Sequence, residues 1–179
     1  QIGQQSNNND ESVTMKRVIL DTNIYGRIVE KKEEEEIKGL IEKHPEIIIY
    51  GYDVIRKELR DVSEKVRFGK RLVRLLLLGP YDNLVKAHIY QTTVPIKQLA
   101  DEYYKVYREL GGKRSEKEML NDFLIVACAS IHELNIVVSE DNKTMLSDEA
   151  IKAYRIANSL RKYKMSEFMG YSKFKRSFS

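Results

Sequence analysis

Three short apolar runs, each stopped by polar or turn-prone residues and separated by stretches of helical periodicity, constrain this chain more than any other feature. Val18-Ile19-Leu20 stops at Asp21-Thr22-Asn23, Ile47-Ile48-Ile49 follows Pro45, and Ile136-Val137-Val138 leads into Ser139 and the turn Glu140-Asp141-Asn142-Lys143. Continuous runs this short, rich in β-branched residues, read as buried strands, expected over residues 16–20, 47–50 and 136–139. A helix is expected over 24–43, with the acidic run Glu33 to Glu36 as a solvated turn. The next opens at Asp53 as N-cap, carries Glu58 in its second turn, and is followed by one over 70–78 that Gly79-Pro80 breaks. Apolar spacing places another over 96–110, closed by Gly111-Gly112. Ser115 and Glu118 have the spacing of a capping box, opening a nearly all-apolar helix to Ile131, and Ser147 caps a last one to about Tyr163. Strand, helix, strand, several helices, strand, helix is the order of a three-layer α/β domain with a short, mainly parallel central sheet flanked by helices.

At 179 residues the chain is the size of one domain. No apolar run approaches membrane-spanning length, no signal-peptide pattern opens the chain, and Cys128 is its only cysteine. These features point to a soluble, cytoplasmic protein. Residues 1–14 are rich in Gln, Asn and Ser and are expected to be a disordered tail or tag residue, with Met15 as the natural start. The net charge is +4, and setting aside Asp10 and Glu11 leaves the folded part more basic than the whole. From Lys152 onward eight basic residues face one acid, Glu167, with aromatic residues between them. That mixture suits phosphates and unstacked bases, or equally a solvated helix face and a frayed end. The domain is therefore expected to span 15–163, with 164–179 as a basic aromatic tail.

Ligands of open parallel sheets collect outside the carboxyl ends of the strands. Asp21 follows the first strand and Asp141 the third. Asp122 heads an almost wholly apolar helix, where a carboxylate needs a partner or a cation. Glu58 lies on a helix full of charges, where Asp61 or Glu64 could take its place.

Four segments, Val18-Ile19-Leu20-Asp21-Thr22-Asn23, Val54-Ile55-Arg56-Lys57-Glu58-Leu59, Asn121-Asp122-Phe123-Leu124-Ile125-Val126-Ala127-Cys128-Ala129 and Val137-Val138-Ser139-Glu140-Asp141, resemble in type and order those of PIN-domain nucleases. The resemblance implies that Asp21, Glu58, Asp122 and Asp141 form a catalytic acidic cluster binding Mg²⁺ or Mn²⁺, oriented by Thr22, Asn23 and Ser139. Clustered carboxylates repel one another unless hard cations sit between them, and both ions prefer oxygen ligands. The activity implied is an RNA-cleaving one, in a homodimer, with Lys113 and Arg114 as candidates to hold a substrate phosphate. The toxins of toxin–antitoxin pairs in this family imply an antitoxin-like partner. Those toxins often carry a further Asp followed by an aromatic residue where this chain has Thr144-Met145.

Other chemistries fit less well. An aspartyl phosphatase needs a second acid where Asn23 stands. Cys128 lies within an apolar helix and reads as a core residue rather than as a nucleophile paired with His44, His88 or His132. No paired Cys or His spacing suggests zinc. The alternative function is a PIN-like module that binds RNA or protein without cleaving.

Overall fold

The computed structural model describes residues 14–62, 67–68 and 71–178. Strand β1 (Lys16–Leu20) is followed by helices α1 (Thr22–Glu30) and α2 (Glu34–Lys43), strand β2 (Ile47–Tyr52) and helix α3 (Asp53–Arg60). A two-stranded hairpin, β3 (Arg67–Phe68) and β4 (Arg71–Leu72), leads to α4 (Val73–Val85) and the short strand β5 (Ile89–Tyr90). Then come α5 (Val94–Glu109), α6 (Glu116–Ile131), β6 (Ile136–Val138), α7 (Asp148–Arg161), β7 (Glu167–Met169) and α8 (Tyr171–Ser177). The main sheet has the order β5-β2-β1-β6-β7, and every neighbouring pair in it is parallel.

From β1 the chain steps one way to β2 and β5, then returns to the other side of β1 for β6 and β7. Right-handed crossovers in opposite directions put their helices on opposite faces. Accordingly α1, α3 and α4 pack together, and α5, α6 and α7 form the second layer. Both faces of β1 are covered, and Val18, Ile19 and Leu20 are fully buried. The three-layer α/β architecture with a parallel sheet is thus present, and β1 and β6 lie at the point where the direction of winding reverses.

Several elements differ from their expected bounds, each for a tertiary reason. The helix over 24–43 is two helices. Lys32 adopts a left-handed conformation (φ 56°), and the Lys32 and Glu33 amides donate back to Val29 and Ile28. This is a Schellman closure on a lysine rather than the usual glycine. Glu33 itself accepts from Tyr171 Oη (2.6 Å) and Lys175 Nζ (2.8 Å), so this member of the acidic run is a tether rather than solvated. Asp53 is not the N-cap of α3; Tyr52 is, and the Asp53 carboxylate accepts from the amide and hydroxyl of Thr92. Helix α4 continues through Pro80, because the turn beyond it buries Tyr81, Leu84 and Val85. Tyr81 and Val85 press against β2 at Gly51, where a Cβ would meet the Tyr81 hydroxyl and lie 2.6 Å from Val85 Cγ1. Lys70, where the helix was expected to start, lies outside the described residues, as do 1–13 and Glu64.

The largest correction concerns the C-terminus. Residues 164–178 are part of the domain rather than a tail. Strand β7 extends the sheet at β6, while Tyr171 and Phe174 of α8 are buried and Phe178 packs on Phe174. The aromatic residues alternate with basic ones because one face of this segment is core and the other is wet.

Candidate active site

Asp21 occupies the first position after β1 and is the N-cap of α1, its carboxylate accepting from the Thr22 amide (2.7 Å). The other carboxylate oxygen accepts from Ser139 Oγ (2.7 Å), which stands just beyond β6 and is fully buried. Only 4 % of Asp21 is exposed. Burial raises its pKa against the pull of the Ser139 and Thr22 hydrogen bonds, and the Asp141 charge adds to the rise.

Helix α3 brings Glu58 to the same place, where it accepts from Thr22 Oγ1 (3.1 Å). Its pKa is raised, by burial first, against hydrogen bonds from Thr22 and Asn121, with Asp21 pushing the same way. Asp122 comes from the first half of α6, the helix that the Ser115–Glu118 capping box starts. Burial carries its pKa up to about 7, against a hydrogen bond with Thr144, and the charges of Asp21, Asp141 and Glu58 all add to the rise. Among the described residues, the charges that act on Asp122 are thus those of other acids. Asp141 accepts from the Lys143 and Thr144 amides (3.1 and 3.0 Å) and from Thr144 Oγ1, while its own amide donates to Ser139 Oγ (3.1 Å).

The structure therefore brings Asp21, Glu58, Asp122 and Asp141 together at the carboxyl edge of the sheet, around β1 and β6. Thr22 and Ser139 orient Glu58 and Asp21. Asn23 accepts from the Glu140 amide (3.3 Å) and so holds the turn rather than an acid. Asp61 caps the C-terminal end of α3 beside Arg60 (3.6 Å) and does not replace Glu58. Arg114 lies at the rim, where its Nε donates to the Lys143 carbonyl (3.2 Å), and Lys113 is exposed beside it. Cys128 is fully buried, and His132 caps α6 at the opposite end from Asp122 with its ring stacked on Tyr90.

Two residues at the site were not singled out from the sequence as functional. Thr144 links Asp141 and Asp122, and Asn121 reaches Glu58. Thr144 stands where the toxin pattern carries an acid, so its hydroxyl joins two carboxylates instead of adding a fifth.

The donor set fits a hard divalent cation in its chemistry: four carboxylates from four segments, three of them pushed toward the protonated form by burial and by one another. The side chains are not already closed around a single point. Among the described residues no three Asp, Glu, His or Cys side chains form a ready metal shell, and both Asp21 and Asp141 are committed to hydrogen bonds. Cation binding requires these side chains to turn.

One consequence is measurable without a cation. An unfolded Asp titrates near pH 3.9 and folded Asp122 near 7, so between those values the folded state binds more protons. Its contribution to stability is then lost as pH rises through that window. In EDTA, the wild type should lose on the order of 1–2 kcal/mol between pH 4.5 and 8 relative to Asp122→Asn, after discounting for the partial exposure of the residue. Melting curves of both proteins across the window check this; parallel curves contradict the shift.

A parallel sheet wound in both directions, with acids gathered at the carboxyl edge where the winding reverses, is the PIN-like fold that the sequence resemblance implied. No family model and no curated protein matches the sequence. Among solved structures, the chain is similar to VapBC2 from Rickettsia felis bound to a DNA fragment from their promoter, with 15 % identity and a TM-score of 0.57. It is also similar to DNA-bound VapBC from Salmonella typhimurium, with 14 % identity and a TM-score of 0.56. VapBC-1 from nontypeable Haemophilus influenzae aligns with 12 % identity and a TM-score of 0.55. Each alignment covers 87 % of this chain and 98 % of the other. At these identities the likeness is one of fold. No helix among the described residues is long and apolar enough to cross a membrane.

Proposed function

We propose that this chain is a divalent-metal-dependent endoribonuclease whose catalytic groups are Asp21, Glu58, Asp122 and Asp141. The observation that carries the reading is that four carboxylates from four segments meet at the carboxyl edge, with Asp122 driven up to about 7 by burial and by the other acids. These four would hold Mg²⁺ or Mn²⁺, which when bound acidifies water and offsets charge on a phosphodiester.

The chain's own residues supply the rest. Ser139 and the Thr22 amide fix Asp21, the Thr22 hydroxyl aims Glu58, and Thr144 couples Asp122 to Asp141. Proton and cation compete for the Asp122 carboxylate, so activity should rise with pH through the neutral range. Arg114, at the rim, and Lys113 are the side chains proposed to meet a substrate phosphate. The fold shared with VapBC complexes supports a toxin role with an antitoxin-like protein partner, and a homodimer belongs to the same reading.

One observation favours a non-cleaving RNA- or protein-binding module: the acids are not preset around a cation. Incubating the purified chain and a mixed single-stranded RNA with Mn²⁺, Mg²⁺ or EDTA separates the two readings. Cleavage with either ion and none in EDTA is expected. RNA retained intact by the protein in all three would support the binding module.

A further inference from the structure

We propose that Glu140 is a positioning residue, tying the acid-bearing turn to the C-terminal helix so that the docking of α8 sets where Ser139 and Asp141 point. The inference rests on the reading of the four acids as a cation site. Ser139 and Asp141 flank Glu140, yet Glu140 is not among the charges that act on Asp21, Glu58 or Asp122. Its carboxylate accepts instead from the amide of Tyr171 (3.0 Å), the first residue of α8. Gly170, the N-cap of α8, has no side chain to cap the helix, so an acid from another segment does so.

Helix α8 is a firm anchor because it is fixed independently elsewhere. The Tyr171 ring is buried, its hydroxyl donates to Glu33 (2.6 Å), and Lys175 donates to the same carboxylate (2.8 Å) while its ammonium lies 4.9 Å from the Tyr171 ring centroid. The turn is held at two more points: the Ser139 amide donates to the Met169 carbonyl (3.0 Å) and the Glu140 amide to Asn23 Oδ1 (3.3 Å). Ser139 Oγ then donates to Asp21 and accepts from the Asp141 amide. A continuous path therefore runs from the α1–α2 turn through α8 and Glu140 to two of the four acids. Exposed Glu140 has no role in the core, so substituting it leaves buried packing intact.

The test compares full-length wild type, Glu140→Ala, Glu140→Gln and Ile96→Val. The last is a mildly destabilising core change in the first turn of α5. Three quantities are read: Mn²⁺ affinity by calorimetry, hydrogen exchange of the Asp141 and Tyr171 amides, and kcat and KM for single-stranded RNA. Glu140→Ala should weaken Mn²⁺ binding about tenfold, the usual scale for residues that orient metal ligands, and should speed exchange at both amides. It should lower kcat and leave KM within about twofold. Glu140→Gln keeps the Oε1 acceptor and should restore all three, and Ile96→Val should change none. Unchanged exchange at Asp141 in Glu140→Ala, or equal losses in Ile96→Val, would overturn the proposal. If the wild type neither binds Mn²⁺ nor cuts RNA, the cation reading fails by itself, and the exchange comparison still decides whether Glu140 holds the turn.

Discussion

Asp21→Asn and Asp122→Asn should each lower metal-dependent RNA cleavage by at least about 10²-fold, roughly 2.7 kcal/mol of transition-state stabilisation, without lowering the melting temperature at pH 7.5. Losing activity without losing stability distinguishes a functional acid from a structural one. Asparagine at position 21 keeps one oxygen to accept from the Thr22 amide, and its NH2 can donate to Ser139 Oγ where the second carboxylate oxygen accepts, so the start of α1 and the β1–β6 junction stay capped. At 122 the change removes a carboxylate that burial and the neighbouring acids disfavour, so the folded state should gain slightly at neutral pH. Asp61→Asn is the control, since that acid is exposed on the outer end of the same helix as Glu58 and pairs with Arg60 at the surface. Full activity in either site variant would remove that acid from the mechanism. Activity lost in step with melting temperature would make it a structural residue.

The parts of the fold legible in the sequence were those fixed by local chemistry. Apolar runs at 18–20 and 136–138 could be read as strands because all their residues are buried, and the Ser115–Glu118 capping box marks the start of α6 with both its bonds in place. Asp21 and Asp141 were legible as acids after strands, and Asp122 as a carboxylate on an apolar helix. Elements decided by distant partners were not. Strands β5 and β7 have two and three residues, too few for any periodicity, and exist because β2 and β6 offer them an edge. The break at Lys32 carries no glycine, and its neighbour Glu33 is held by residues 138 and 142 positions away. Glu140 reads as an ordinary turn residue, and Thr144 only as a departure from the toxin pattern, because their roles lie in the partners of their side chains. Glu58 needed the resemblance, since on its helix of mixed charges periodicity alone did not single it out.

Ending the chain after Tyr163 should leave no cooperatively folded domain, and Phe174→Ala alone should cost about 3–5 kcal/mol. Residues beyond 163 complete the sheet and close the core. Strand β7 is hydrogen-bonded along β6, Ser166 Oγ donates to the Leu134 carbonyl (2.7 Å), and the Ser139 amide relies on the Met169 carbonyl. Tyr171 and Phe174 are buried to within 1 % of completely. Removing them uncovers one side of β6 together with the core beneath α8, and orphans several buried polar groups at once. A domain typically has only about 5–15 kcal/mol in total, so a loss that Phe174 alone takes to several kcal/mol is not survived when β7 goes as well. For a domain of this size, Phe174→Ala corresponds to a fall in melting temperature of roughly 10 °C, measurable by calorimetry or circular dichroism. A fragment of residues 15–163 that melts cooperatively within a few degrees of the full chain would return 164–178 to the status of an appendage. It would also free Tyr171 and Phe174 to stack on bases, a role that their burial in the core denies them.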